Sequence, residues 1–242
     1  DCYLKENNNE IITIGETGIY ESSFYLEEGK YHIEEVEAPI GYKKLTKPFT
    51  FNIYEYNGPS KDIIVYNNPE QYSIKIYKKG EIFTGFKETE NGAEGIYTEA
   101  SMNDVVYGLY ASEDFYDFIN DKSYKKDDLI AEININNGYG YITGLSYGHY
   151  YIKEIKYDEL YIPTDIIKVQ FENDSSSIIY EFVNKLKKGN IIVQKSDNEN
   201  PLSGAIINIS KENQYNINLV SNSDGYIKIN NTPITEDRND YY

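Results

Sequence analysis

The sequence predicts an all-β protein made of tandem sandwich units, and three observations carry that prediction. Short runs of alternating apolar and polar residues, rich in Tyr, Ile and Val, are separated by polar turns, and no stretch of useful length has a helical period. The segment Tyr25 to Tyr42 returns in weaker form at Leu145 to Glu154. In each copy Leu and Gly flank two turn residues, and Tyr, Ile and Glu then alternate, as Tyr31, Ile33 and Glu35 and again as Tyr150, Ile152 and Glu154. Finally, Asn67 precedes Lys78 by eleven residues, and Asn184 precedes Lys195 by the same eleven. Such a repeat divides the chain before any single residue is interpreted. It gives the end of one unit over 1–69, a whole unit over 70–186 and the start of a third over 187–242.

In the first unit, strands are expected at Glu10 to Ile14, Phe24 to Leu26, Lys30 to Val36, Phe49 to Tyr54 and Ile63 to Tyr66. The central unit should contain seven: Tyr72 to Lys78, Asp104 to Ala111, Leu129 to Ile135, Gly140 to Thr143, His149 to Ile155, Ile166 to Phe171 and Ile178 to Val183. Seven short strands suit a sandwich. Gly80 to Asn103 reads as an inserted hairpin or loop, the kind of segment that often carries binding. Ser112 to Lys126 has room for a helical turn or two. In the third unit Gly204, Ala205, Ile207 and Ile209 fall in register with Asp104, Val105, Tyr107 and Leu109, and Asp240-Tyr241-Tyr242 opens another copy of the His149 strand. Short extended linkers are expected at Pro69 to Tyr72 and Leu186 to Asn190, which would make a rod.

Period-two alternation assigns faces. Lys78 shares a face with Ile74 and Ile76, Lys195 with Ile191 and Val193, and Asn184 with Tyr180 and Phe182. Each unit therefore opens with an inward Lys and closes with an inward Asn, with Glu35 or Glu154 on an inward face between them. An ionised group on a buried face is costly, so these polar residues need a reason to be there. A salt bridge between Lys78 and Glu154 would be reason enough for two of them, but it does not call for an Asn in register.

A net charge of −17 argues against nucleic acid and against an anionic membrane surface as partners. The lone cysteine, Cys2, cannot form an internal disulfide. Two histidines and one cysteine exclude the usual zinc sets, and Asp197-Asn198-Glu199-Asn200 lacks the glycine and spacing of a calcium loop, so no metal or other cofactor is expected. Gly144-Leu145-Ser146-Tyr147-Gly148 fits the Gly-x-Ser-x-Gly string of serine hydrolases. It lies between two strand patterns, however, where a nucleophile elbow needs a strand followed by a helix. Because the chain starts without Met and stops inside a repeat, it reads as a piece of a longer protein.

The run from Tyr31 to Tyr42, YHIEEVEAPIGY, resembles the E-box type sequence of Gram-positive surface proteins. YGLYASEDFYDF (107–118), KKDDLIAEI (125–133) and GYITGLSYGHYYIKE (140–154) resemble SpaA-like, or Cna B-type, domains with a prealbumin-like (transthyretin-type) fold. The likeness covers nearly the whole chain, although Ile155 to Leu160 lacks the Ala-Pro-x-Gly-Tyr that follows Glu35. It implies an intramolecular isopeptide bond between a first-strand Lys and a last-strand Asn, with a Glu as proton shuttle. By position these are Lys78, Glu154 and Asn184 in the central unit, Glu35 and Asn67 in the first, and Lys195 in the third. The lysine partnering Glu35 would precede Asp1.

That resemblance implies a structural stalk of a pilin-like or adhesin-like protein in the cell wall or at the cell surface, with neighbouring repeats of the same chain as its contacts and no turnover beyond one self-directed reaction. The competing expectation is an adhesin module that holds a host surface protein or glycan through the 80–103 insertion or a surface rich in the chain's 27 tyrosines.

Overall fold

The computed structural model describes residues 2–6, 8–12, 14, 18–20, 27–54, 62–90, 92–171, 176–212 and 214–234. In the first unit, β1 (Cys2–Glu6), β2 (Asn8–Ile12), β3 (Gly29–Glu35) and β4 (Phe49–Ile53) form one antiparallel sheet in the order β2-β1-β3-β4. Tyr31 and Phe51 are cross-strand partners, and their rings stack with centroids 5.4 Å apart, so the aromatic pair fixes the register of β3 on β4. Ile63 to Tyr66 keeps its alternation of burial but joins no ladder among the described residues, so the strand expected there is not formed. The strand expected at Phe24 to Leu26 lies outside the described residues.

The central unit contains β5 (Tyr72–Thr89), β6 (Gly92–Ser101), β7 (Val105–Ala111), β8 (Phe115–Asp117), β9 (Lys122–Tyr124), β10 (Leu129–Ile135), β11 (Tyr139–Leu145), β12 (His149–Lys156), β13 (Tyr161–Ile162), β14 (Ile167–Gln170) and β15 (Ser177–Leu186). One sheet runs β10-β7-β12-β14; opposite it, β5 lies between β11 and β15, with β13 at the edge of β15. Alternation along the facing strands fills the space between them. Tyr72, Ile74 and Ile76 come from β5; Val105, Tyr107 and Leu109 from β7; and Tyr150 and Ile152 from β12. The first and last strands, β5 and β15, pair in parallel, with Lys78 opposite Phe182 and Gly80 opposite Asn184. The helical turns expected within 112–126 are instead the β8–β9 hairpin. Phe115 and Tyr124 pair across it with ring centroids 5.5 Å apart, and the Asp117 carboxylate accepts the backbone N–H groups of Ile119 and Asn120 to hold its turn.

The third unit contains β16 (Lys188–Gln194), β17 (Ile206–Lys211), β18 (Tyr215–Val220) and β19 (Tyr226–Pro233). Here the structure departs from the picture of separate units on plain linkers. β5 does not end at Lys78 but continues for 18 residues and returns as β6, and β6 pairs in parallel with β19. The resulting seven-stranded sheet spans the central and third units. Ala93 from the hairpin is fully buried in a cluster with Leu219, Ile227 and Ile229, and Phe86 packs beside them. The 80–103 insertion is thus a hairpin engaged with the next unit. At the junction β15 ends at Leu186 and β16 starts at Lys188, and the Glu81 carboxylate receives both the Leu186 N–H (3.1 Å) and the Lys188 ammonium (2.8 Å).

Candidate functional site: a buried Lys, Glu and Asn cluster

Three strands deliver one polar group each to the end of the central core. β5 supplies Lys78, two residues beyond Ile76; β12 supplies Glu154, two beyond Ile152; β15 supplies Asn184, two beyond Phe182. The strand faces read from alternation therefore converge. Lys78, Glu154 and Asn184 are 0%, 3% and 1% exposed, and at that burial water cannot satisfy any of them.

Their contacts form a closed set. Lys78 Nζ donates to Asn184 Oδ1 at 2.5 Å and lies 3.3 Å from Glu154 Oε1. Asn184 Nδ2 donates to the same Glu154 Oε1 at 2.7 Å. Glu154 thus bridges the amine and the amide nitrogen, while the amine rests against the amide carbonyl. The rings of Tyr107 and Phe182 stack on each other with centroids 5.5 Å apart, and the amine lies beside the pair, 5.3 and 5.6 Å from the two ring centres. Gly138, at φ +75°, allows its backbone to press against Lys78: Lys78 N–H donates to Gly138 O at 2.8 Å, and a Cβ on Gly138 would stand 2.8 Å from Lys78 O.

Burial pushes the Lys78 ammonium down from 10.5 to about 8, against the pull of the Glu154 carboxylate. The Tyr107 hydroxyl is pushed well above its usual value, also by burial. A lysine in this setting releases its proton far more readily than one in water, and its lone pair then lies beside a carbonyl carbon.

Two members of the cluster were not legible from alternation. Tyr107 OH accepts from Lys78 Nζ at 2.7 Å. Thr164, in the loop after β13, accepts from Lys78 Nζ at 2.7 Å, donates its backbone N–H to Glu154 Oε2 at 2.6 Å, and donates its hydroxyl to Asn184 Oδ1 at 3.1 Å. The signal for Thr164 was a spacing. In the first unit the Leu45 N–H donates to Glu35 Oε2 at 2.7 Å, and both donors lie ten residues after their acid. The loop after Glu154 makes this contact without the Ala-Pro-x-Gly-Tyr of the first unit.

In the first unit Glu35 is 9% exposed, and Asn67 Nδ2 donates to both of its oxygens at 2.8 Å and to Lys43 O at 3.0 Å. Acid and amide meet there as they do in the central unit. Lys195 is placed differently: it is exposed just after β16, while Val193 on the same strand packs into the third core. Ser146 lies between β11 and β12, 2% exposed, and its carbonyl accepts the Tyr150 hydroxyl at 2.6 Å, so it occupies a strand connection.

Residues 3–69 match the family model of the SpaA prealbumin-like fold domain. Comparison with curated proteins gives no match. Among solved structures, the Bacillus anthracis TIE protein aligns over 95% of this chain and 40% of its own, at 17% identity and a TM-score of 0.57. The minor pilin GBS52 of Streptococcus agalactiae aligns over 68% of this chain and 63% of its own, at 19% identity and a TM-score of 0.33. The shaft pilin SpaA of Lactobacillus rhamnosus GG aligns over 69% and 84%, at 12% identity and a TM-score of 0.29. The chain spans less than two thirds of the first two of these proteins, and its likeness to the first is one of fold.

Proposed function

We propose that this chain, with its SpaA prealbumin-like domain at residues 3–69, is a stretch of the structural stalk of a Gram-positive cell-surface protein, pilin-like or adhesin-like, whose central unit closes itself with an amide bond from Lys78 to Asn184. The observation that carries this reading is the placement of Lys78 Nζ 2.5 Å from Asn184 Oδ1, with one Glu154 oxygen in contact with both nitrogens. In the reaction, Lys78 gives up its ammonium proton to solvent, and the neutral amine attacks Asn184 Cγ. Glu154 then takes a second proton, from Nζ, and passes it to Nδ2, which leaves as ammonia, and a secondary amide remains. One amine and one primary amide are consumed, and no cofactor takes part. The domain reacts once, on itself, so the product is a structure and not a turnover.

A simple ion pair between Lys78 and Glu154 would explain two of the three residues. It does not call for an Asn in register at the end of the unit, its carbonyl against the amine. The adhesin alternative keeps one favourable feature, a row of exposed Tyr77 and Tyr141 with half-buried Tyr139 between them, on β5 and β11, with successive ring centroids 5.2 and 5.8 Å apart. Its other candidate surface, the hairpin, is occupied by the third unit. Proteolysis followed by tandem mass spectrometry tests the stalk reading: a branched peptide joining the Lys78 and Asn184 segments is expected, and it should vanish in Glu154→Ala. Recovery of both segments only as linear peptides from the folded wild-type chain would overturn it.

A further inference from the structure

We propose that Thr164 is a further catalytic residue of the central unit, its hydroxyl holding the negative charge that develops on Asn184 Oδ1 when Lys78 attacks. This role rests on the bond-forming reading above. Among the described residues, Thr164 is the one that addresses all three members of the cluster. Its N–H meets Glu154 Oε2, and its Oγ1 lies 2.7 Å from Lys78 Nζ and 3.1 Å from Asn184 Oδ1.

The direction of its proton follows from its neighbours. Oγ1 receives an N–H of Lys78 and lies 3.0 Å from the Tyr107 hydroxyl, which can also donate into it. With its lone pairs so engaged, the proton of Thr164 is directed to the remaining acceptor, Asn184 Oδ1. Its position is held from outside the cluster. β13 pairs Tyr161 with Leu186 and Ile162 with Lys185, the Tyr161 hydroxyl donates to Glu81 O at 3.0 Å, and Pro163 then fixes the backbone one residue before Thr164.

The first unit separates the two parts of this role. Leu45 stands where Thr164 stands and supplies the same N–H to Glu35, but it has no hydroxyl. The backbone contact is therefore common to both units, whereas the hydroxyl belongs to the central one. In the reaction, the Nζ lone pair forms the new C–N bond and the carbonyl π pair moves onto Oδ1, where the Thr164 O–H meets it. Collapse of the tetrahedral centre returns the pair and expels Nδ2 as ammonia, with the proton that Glu154 took from Nζ. A donor already aimed at the oxygen, in a site closed to water, is worth far more than one that must reorient.

The test follows ammonia loss by intact mass after the unlinked chain, recovered in denaturant from insoluble material, is refolded by dilution. Thr164→Val keeps the shape and removes the hydroxyl, Thr164→Ala removes it without risk of a clash, and Thr164→Ser restores it. Loss of a single donor of this kind slows such reactions by about a hundredfold or more. Both hydroxyl-free variants should therefore lose ammonia about a hundredfold more slowly than wild type while ending one ammonia short of their own sequence masses, and Thr164→Ser should stay close to wild type. Wild-type rates in Thr164→Val or Thr164→Ala would overturn the role of Thr164 and leave the cross-link standing. Equal slowing in Thr164→Ser would also overturn it, since packing would then be responsible. A wild-type chain that never loses ammonia would overturn the cross-link itself, and this role with it.

Discussion

Lys78 ends a run of inward residues, Tyr72, Ile74 and Ile76, and is as fully buried as they are. A charged ammonium there is expensive, and the cost shows in its titration, which burial lowers from 10.5 to about 8. For the unlinked chain the sign follows directly. The folded state holds its proton less tightly than the unfolded state, so the penalty is present in full below about pH 8 and is relieved as pH rises from there toward 10.5. The nucleophile is the neutral amine. Its fraction, and with it the rate of ammonia loss on refolding, should therefore rise about tenfold per pH unit below pH 8 and level off above it. Intact-mass time courses at several pH values check this, and a rate flat from pH 6 to pH 9 would contradict it. Alternation was enough to place Lys78, Glu154 and Asn184 on inward faces, because strand geometry is periodic. It could not place Thr164, which arrives from a loop, or separate Tyr107 as a hydrogen-bond partner from the other core tyrosines. It also placed Lys195 inward, whereas β16 ends at Gln194 and the lysine falls on the exposed turn that follows.

At the scale of elements, the β5–β6 hairpin joins two units. Its close approach depends on Gly92, at φ +145°, where a Cβ would stand 1.9 Å from Lys228 O in β19. Around that contact, Phe83, Phe86 and Tyr215 meet edge to face, Tyr97 OH donates to Asn231 O, and Asn231 Nδ2 donates to Glu94 at 2.8 Å. Gly92→Val should lift the hairpin tip from β19 and destabilise the third unit by roughly 1–3 kcal/mol, the usual cost of forcing bulk into a packed site. In hydrogen exchange, the amides of Tyr226 to Asn231 should lose protection while those of Tyr72 to Lys78 keep theirs; unchanged protection of the former would show that the brace is not needed. The insertion was visible in the sequence as a long stretch rich in Gly, Glu and Thr. Its destination was not, because the parallel pairing of β6 with β19 joins residues 136 positions apart and leaves no local pattern.

For the whole molecule, the proposed bond decides where tension runs. Force entering through β16 reaches β15 at Leu186, crosses from Asn184 to Lys78 and leaves along β5 toward Tyr72. Most of the sandwich lies inside the closed loop and is bypassed, and the hairpin takes load only through its contacts with the third unit. The bond encloses a separation of 106 residues, which by analogy with a disulfide stabilises the unit by roughly 3–5 kcal/mol through the unfolded state. Under single-molecule extension, the wild-type chain should keep that loop closed, and Lys78→Ala should release roughly 350–380 Å of extra contour from the 106 residues. An equal extension in both chains would remove the mechanical argument. The family model matches residues 3–69, the unit that carries Ala38-Pro39-Ile40-Gly41-Tyr42, whereas the central unit lacks that run and contains the long hairpin, so local sequence says less about it than its fold does. The most direct measurement is the intact mass of the folded 242-residue chain. It should fall short of the sequence mass by one ammonia, and Lys78→Ala or Glu154→Ala should each show the full mass expected for its own sequence. A folded wild-type chain at its full sequence mass would contradict the account and leave Lys78, Glu154 and Asn184 as a buried polar cluster without a bond.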